Sequence, residues 1–151
     1  MITIFLGSSK AAKSQAKFVI DALSSDTVRF LPWWDTFQPG ATLLERINEI
    51  SPKVDSALFL FSPEHEAVIR KADKEIPNLN VLFEFGYFYG RLGKERVAML
   101  KFGEFYLPSD FGGYIHIAGS KQFKRNKSVT LDNQTKHAFT KWAEGIQASK
   151  V

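Results

Sequence analysis

Short apolar runs alternate along the chain with segments whose apolar positions recur at helical spacing. The apolar runs predict strands at ITIFL (2–6), VRFL (28–31), SALFLFS (56–62), RVAMLK (96–101) and YIHIA (114–118). Helical spacing predicts helices over residues 9–23, 41–50, 80–93 and 131–148. This alternation predicts an α/β fold: a flavodoxin-like, three-layer parallel sheet of five strands in the order 2-1-3-4-5.

The segments between these elements are predicted to be loops. PWWDTFQPG (32–40) and YLPSDFGG (106–113) are loops, and the polar residues 63–79 are expected to form a long loop or a short helix. In parallel sheets, ligands bind beyond the carboxyl ends of the strands, where the strand order reverses. We therefore expect a ligand site where the loops after strands one, two and three meet the start of the helix that follows strand three.

Length and composition indicate one domain over residues 1–151. The chain has no cysteine, which excludes disulfides and thiolate zinc sites. The three histidines show no metal-ligand spacing, so no metal site is expected. No apolar run is long enough for a membrane span, and the N-terminus lacks a signal-type pattern, so a cytoplasmic location is predicted.

The positive charge is concentrated in the second part of the chain. Residues 1–93 contain 10 Lys and Arg against 11 Asp and Glu, whereas residues 94–151 contain 10 against 5. The excess includes KQFKRNK (121–127), which could contact an anion. We interpret it as a solvated loop, because the chain has no recognisable nucleic-acid module.

Glu84 is the strongest candidate for chemistry, because it lies within the apolar run NVLFEFGYFYG (80–90). With Asn80 as N-cap, it would lie in the first helical turn, where the helix dipole keeps a carboxylate ionised. Gly86 and Gly90 would let the helix approach the sheet or a partner closely. The alternative is a purely structural salt bridge to an Arg or Lys.

The segment GSSKAAKS (7–14) follows the first strand and resembles a phosphate loop. Ala12 replaces the second glycine of a Walker A loop, which argues against that type of nucleotide hydrolysis. Gly7, Ser8, Ser9 and Lys10 could still hold a phosphate or a ribose hydroxyl at the helix N-terminus. Simple capping by Ser8 or Ser9 is an equally good explanation.

Three aromatic residues fall within the loop that follows the second strand. Trp33, Trp34 and Phe37 could stack on a nucleobase or a pyridinium ring, or fill the core beneath the loop. In PSDFGG (108–113), Asp110 has either a turn role or a ligand contact.

The helix NVLFEFGYFYGRLG, the strand after it and the loop YLPSDFGG resemble the TIR-like family of predicted nucleotide-binding domains. The resemblance extends over roughly residues 1–118 and includes the Gly-Ser loop and WWDTFQPG. It is closest in type to the N-terminal effector of bacterial TIR-STING receptors, in which a cyclic-dinucleotide sensor follows in the same chain. FSPEHE (61–66) departs from the family pattern, which usually has paired acids after the proline.

This resemblance implies cleavage of NAD⁺ between nicotinamide and ribose, with NAD⁺ as substrate and no separate cofactor. Glu84 matches the family's catalytic glutamate. The implied role is an effector of bacterial anti-phage defence that is activated by self-association into an oligomer or filament. The candidate binding residues are Gly7, Ser8, Ser9, Lys10, Trp33, Trp34, Asp35, Phe37, Ser62 and Asp110.

Two other functions remain open at this point. The domain could be a non-catalytic TIR module that only assembles, with a structural Glu84. It could also be a nucleoside deoxyribosyltransferase-like enzyme, in which a glutamate near the sugar acts as a covalent nucleophile.

Overall fold

A computed structural model describes residues 1–36, 38–108, 115–119, 129 and 131–150. Its strands are β1 (Ile2–Gly7), β2 (Val28–Pro32), β3 (Ser56–Phe61), β4 (His65–Ile69), β5 (Ala72–Ile76), β6 (Val97–Lys101) and β7 (Ile115–Ala118). Its α-helices are α1 (Lys13–Leu23), α2 (Leu43–Ile50), α3 (Leu79–Leu92) and α4 (Asn133–Ser149). Short 3-10 helices cover Trp33–Thr36, Ser51–Lys53 and Lys94–Arg96.

Five of these strands form one parallel sheet in the order β2-β1-β3-β6-β7. If the two strands of the separate hairpin are left out of the numbering, this is the predicted order 2-1-3-4-5. The order reverses between β1 and β3, because the chain first adds β2 on one side of β1 and then crosses to the other side. The flavodoxin-like fold class is confirmed.

Helices cover both faces of the sheet. Along β3, Leu58 and Leu60 pack with α1 and α4, whereas Phe59 and Phe61 pack with α2 and α3. A strand that is buried on both faces is continuously apolar, and β3 is fully buried along its length. The sheet and the helical layer packed against each of its faces form the three layers that the sequence predicts.

The segment 63–79 differs from its prediction, because β4 and β5 form an antiparallel hairpin rather than a loop or short helix. Its turn residues Arg70 and Lys71 have φ of 51° and 66°, as a two-residue hairpin turn requires, although neither is glycine. Two backbone hydrogen bonds hold the base of the hairpin: Glu64 N–H to Ile76 O at 3.0 Å and Tyr106 N–H to Glu75 O at 2.8 Å. The hairpin is thereby fixed beside the end of β3.

Helix α2 begins with a capping box. Thr42 Oγ1 accepts a hydrogen bond from Glu45 N–H at 3.2 Å, and Glu45 Oε2 accepts one from Thr42 N–H at 2.8 Å. These reciprocal bonds satisfy two backbone donors that the first turn would otherwise leave unpaired. They fix the start of a helix whose inner face carries the buried Ile47.

Thr42→Ala is expected to lower the free energy of unfolding by about 1 kcal/mol, because it removes this cap. Urea unfolding followed by circular dichroism measures the change. Thr140→Ala is the matched control, since Thr140 is exposed within α4 and its loss should change stability by less than about 0.5 kcal/mol. Equal stability of Thr42→Ala and the wild type would contradict the role of the capping box.

Candidate active site

A cavity of about 630 Å³ opens at the carboxyl ends of the parallel strands. Five of the candidate residues line it: Ser8, Ser9, Lys10, Trp33 and Glu84. They come from the loop after β1, the 3-10 helix after β2 and from α3, which are three of the places where the sequence predicts a site. The predicted ligand edge therefore contains a real cavity.

Other lining residues were not predicted to be in the site. They come from the β1 loop, from α2, from the loop before β4 and the first residue of β4, and from the N-cap and first turn of α3: Ala11, Leu43, Arg46, Glu64, His65, Asn78, Asn80 and Val81. Of these, Arg46 matters most, since it brings a positive charge into the cavity that holds Glu84. No local pattern marks it, because an arginine on an amphipathic helix usually belongs to the solvent face.

Glu84 belongs to the second turn of α3 and not to the first. The N-cap is Asn78, whose side chain accepts hydrogen bonds from Asn80 N–H at 2.9 Å and Val81 N–H at 3.2 Å. The prediction of Asn80 as the cap was wrong, and the shift makes Glu84 the sixth helical residue. The helix dipole acts mainly within the first turn, so it is not the main influence on this carboxyl.

The charge state of Glu84 is set by burial. Its side chain is 5% exposed, and this loss of hydration raises its pKa to about 7, against a weaker lowering by the charge of Arg46. The sequence-based prediction of a carboxylate that is always ionised is therefore wrong. Near neutral pH, Glu84 is a carboxyl group that can gain or lose a proton.

Glu84 has no salt bridge in the described part of the chain, where the ion pairs are Lys53–Glu49 and Lys150–Asp55. No side-chain hydrogen bond to another described residue holds the carboxyl either. The structural alternative, a Glu84 locked to a basic partner, is not supported. A buried carboxyl that is not used internally remains available to a ligand.

Ser8, Ser9 and Trp33 form a hydrogen-bonded wall of the cavity. Trp33 Nε1–H donates to Ser8 Oγ at 2.7 Å, and Ser8 Oγ–H donates to Ser9 O at 3.0 Å. Ser9 Oγ accepts from Ala12 N–H at 3.1 Å, so Ser9 caps the turn that leads into α1. The capping role is present, and the serines also line the cavity.

The two tryptophans have different surroundings. They meet edge to face with centroids 5.6 Å apart, and Lys13 Nζ lies 5.9 Å from the Trp33 ring and 5.2 Å from that of Trp34. Trp33 lines the cavity, whereas Trp34 packs against the core cluster of α1 and α4. Of the two, Trp33 is the ring positioned to wall a ligand.

The remaining candidates among the described residues do not line this cavity. Gly7 is the last residue of β1, where a Cβ atom would lie 2.5 Å from the Phe59 ring, so close packing requires the glycine. Asp35 is exposed, and Ser62 is buried just beyond β3. The predictions for Phe37 and Asp110 concern positions outside the described residues.

Gly86 and Gly90 lie on an open face of α3. A Cβ atom at either position would have no neighbour within 4 Å, so neither glycine lets the helix approach the sheet. The opposite, apolar side of the same helix carries Val81, Phe85 and Phe88, which are buried against the sheet. Glu84 lies next to Phe85 at the edge of this apolar side and lines the cavity.

A second groove, of about 740 Å³, lies between the end of α1, the start of β2 and α4. It is at the opposite end of the parallel strands from Glu84, and none of the candidate residues that the structure describes lines it. Within the described ranges, no three His, Asp or Glu residues cluster as metal ligands would. No described helix combines the length and the apolar character that a membrane crossing needs.

The comparisons with known proteins agree with this architecture. The family model for the TIR domain of the CAP12/Pycsar effector protein matches residues 3–121. The chain is 33% identical over 115 residues to "CD-NTase-associated protein 12" of Niabella drilacis, which covers 73% of this chain and 37% of that protein. It is 31% identical over 126 residues to the protein of that name from a Lachnospiraceae bacterium, covering 80% and 40%.

A third relative is the "Pycsar effector protein PaPycTIR" of Pseudomonas aeruginosa, 31% identical over 113 residues that cover 73% of this chain and 37% of the relative. The matched region thus spans 37–40% of the length of these three relatives. The family match includes the whole wall of the cavity, from Ser8 to Glu84. The chain belongs to the CAP12/Pycsar effector TIR-domain family.

Proposed function

We propose that this domain cleaves NAD⁺ at the bond between nicotinamide and ribose, releasing nicotinamide and ADP-ribose or a cyclised form of it. The observation that supports this most directly is Glu84, a buried carboxyl without an internal salt bridge among the described residues. It lines a cavity at the carboxyl edge of the sheet together with an aromatic ring, that of Trp33.

The chemistry suits a single carboxylate. Nicotinamide leaves as a neutral molecule from a cationic pyridinium, so no strong general acid is required. As the bond breaks, positive charge develops on the ribose, as in other glycosyl transfers. An ionised Glu84 near the sugar stabilises this charge, and water then adds to the ribose carbon and releases one proton.

The raised pKa of Glu84 is compatible with this role. At a pKa of about 7, the free domain holds a mixture of the neutral and ionised carboxyl near neutral pH. A bound pyridinium cation favours the ionised form, because an opposite charge nearby lowers the pKa of an acid. Substrate binding thereby increases the fraction of ionised Glu84, which is the form that the proposed cleavage requires.

In its cell, the protein is proposed to act as an effector of anti-phage defence that is activated by self-association. The relatives carry the words "effector" and "CD-NTase-associated" in their names, and they are longer than this chain. Four large apolar side chains are exposed on elements that also line the cavity or flank it: Leu44, Val68, Leu79 and Phe83. A cyclic-dinucleotide-sensing domain in the same full-length chain would supply the trigger.

Two alternatives compete with this proposal. In a purely assembling TIR module, Glu84 would contribute only to structure. In a deoxyribosyltransferase-like enzyme, Glu84 would attack the sugar as a covalent nucleophile. The burial of Glu84 near the charge of Arg46 fits NAD⁺ cleavage or the transferase reaction better than the assembling module, because a buried charge without a function is costly.

The direct test is nicotinamide release from NAD⁺ by the domain after forced clustering through a fused dimeriser. We expect release to depend on clustering, since the resemblance to TIR effectors implies activation by self-association. Liquid chromatography of the products measures nicotinamide, ADP-ribose and any cyclised product. The unclustered domain at the same concentration is the control.

The other outcomes identify the competing functions. Absence of nicotinamide under every clustering condition would favour the assembling module. Exchange of bases between added nucleosides, without hydrolysis of NAD⁺, would favour the transferase.

A further inference from the structure

Arg46 is a charged side chain that the proposed reaction has not yet used. It projects from α2 and lines the same cavity as Glu84. Its Nε is enclosed by protein and has no hydrogen-bond partner in the described part of the chain. A buried donor that lacks an acceptor is costly, so this one is expected to have a purpose.

The acids on the same helix are engaged elsewhere. Glu45 closes the capping box with Thr42, and Glu49 Oε1 lies 3.6 Å from Lys53 Nζ. Arg46 therefore forms no ion pair within 4.0 Å among the described residues. Its charge acts on Glu84 without a direct contact. The guanidinium is held at the cavity and remains without an anion of its own.

We propose that Arg46 binds the pyrophosphate of the dinucleotide. This inference rests on the proposed function, because it assigns a second part of the same substrate to the same site. A guanidinium presents several N–H donors in one plane and matches two phosphate oxygens at once. The pyrophosphate supplies, in direct contact, the acceptors and the negative charge that the described residues do not offer to this side chain.

The other charges of the cavity fit a substrate with two charged parts. Lys10 lines the cavity from the β1 loop and adds a second cation, whereas Glu64 and His65 line it from the loop before β4 and from the first residue of β4. The dinucleotide carries its positive charge on the nicotinamide ring and its negative charges on the pyrophosphate. Glu84 and Arg46 are complementary to these two parts, respectively.

Binding of ADP-ribose tests the assignment without any catalysis. The change in intrinsic tryptophan fluorescence reports occupancy, because the Trp33 indole lines the cavity. Arg46→Gln is expected to weaken ADP-ribose binding to the clustered domain by about 10- to 100-fold, the usual effect of losing a charged hydrogen bond. Arg46→Lys should be intermediate, since it keeps the charge and loses the planar donors.

Arg91→Gln is the matched control, because Arg91 is exposed on α3 away from the cavity, and it should bind ADP-ribose as the wild type does. Equal affinity in Arg46→Gln and the wild type overturns the assignment, as does a wild type that does not bind ADP-ribose at all. Weakened binding in a domain that never cleaves NAD⁺ would support this assignment while rejecting the proposed reaction.

A second substrate separates phosphate binding from an effect through Glu84. Nicotinamide riboside contains the same scissile bond and no phosphate. At a pH well above the pKa of Glu84, where this carboxyl is ionised with or without Arg46, loss of Arg46 should lower kcat/KM for NAD⁺ mainly through KM, by about 10-fold or more, and leave nicotinamide riboside little changed. Equal losses for both substrates, with a shifted pH profile, would mean that Arg46 acts through Glu84, and this would overturn the assignment.

Discussion

Glu84→Gln is expected to reduce nicotinamide release from NAD⁺ by at least about 10²-fold in the clustered domain, with little change in fold. Glutamine keeps the shape of the side chain and its capacity to hydrogen-bond the ribose hydroxyls, but it cannot carry the negative charge that opposes the developing cation. The loss should therefore appear mainly in kcat. Product chromatography under saturating NAD⁺ measures it.

Two controls make this result specific. Glu144→Gln applies the same substitution to an exposed position of α4 and should retain full activity. The wild-type kcat/KM should also rise with pH through about 7, as Glu84 of the free domain ionises, and any residual activity of Glu84→Gln should lack this limb. The cavity also contains the titratable or charged groups Lys10, Arg46, Glu64 and His65. A rate within about threefold of the wild type in Glu84→Gln would remove the carboxylate from the mechanism.

The second large effect concerns stability. At a pH of about 8, Glu84→Gln is expected to raise the free energy of unfolding by about 3 kcal/mol. Burial raises the pKa of Glu84 from 4.5 to about 7, and each unit corresponds to about 1.4 kcal/mol. The wild type must keep a desolvated charge in the fold at this pH, whereas the variant has none.

The direction of this pH dependence follows from whether the folded or the unfolded state binds the proton of Glu84 more tightly. Between pH 4.5 and about 7 the folded carboxyl keeps a proton that the unfolded one has lost, so wild-type stability falls over this range as the pH rises. Below this range the carboxyl is neutral in both states, and the two proteins should be nearly equally stable. Paired urea titrations at pH values of about 4 and about 8 measure the difference directly.

Glu144→Gln again serves as the control and should change stability by less than about 0.5 kcal/mol at both pH values. A stability difference of the same size at both pH values would contradict the assigned cause, because it would not depend on ionisation. If the prediction holds, Glu84 lowers the free energy of unfolding at the pH where it is proposed to act. Such a cost is common at functional sites.

The strands were predictable because each is a short apolar run, and their order followed from the alternation of strands with helices, which favours a doubly wound parallel sheet. β3 is apolar at every position after Ser56, and only a strand covered on both faces tolerates this. The hairpin of β4 and β5 was missed for an equally local reason. Its turn uses Arg70 and Lys71 in left-handed conformations, where glycine or asparagine would have signalled a two-residue turn.

The sequence alone determined that Glu84 would lie at the carboxyl edge of a parallel sheet, near the loops that carry Ser8 and Trp33. The apolar spacing of the helix is a local property, and the strand order followed from the usual order of doubly wound parallel sheets; together they place this side chain. Only the tertiary structure decided its charge state and revealed Arg46 as its neighbour. The desolvation of Glu84 and the effect of the Arg46 charge on it both depend on how α2 and α3 pack around one cavity. No pattern within either helix encodes how close these two side chains come.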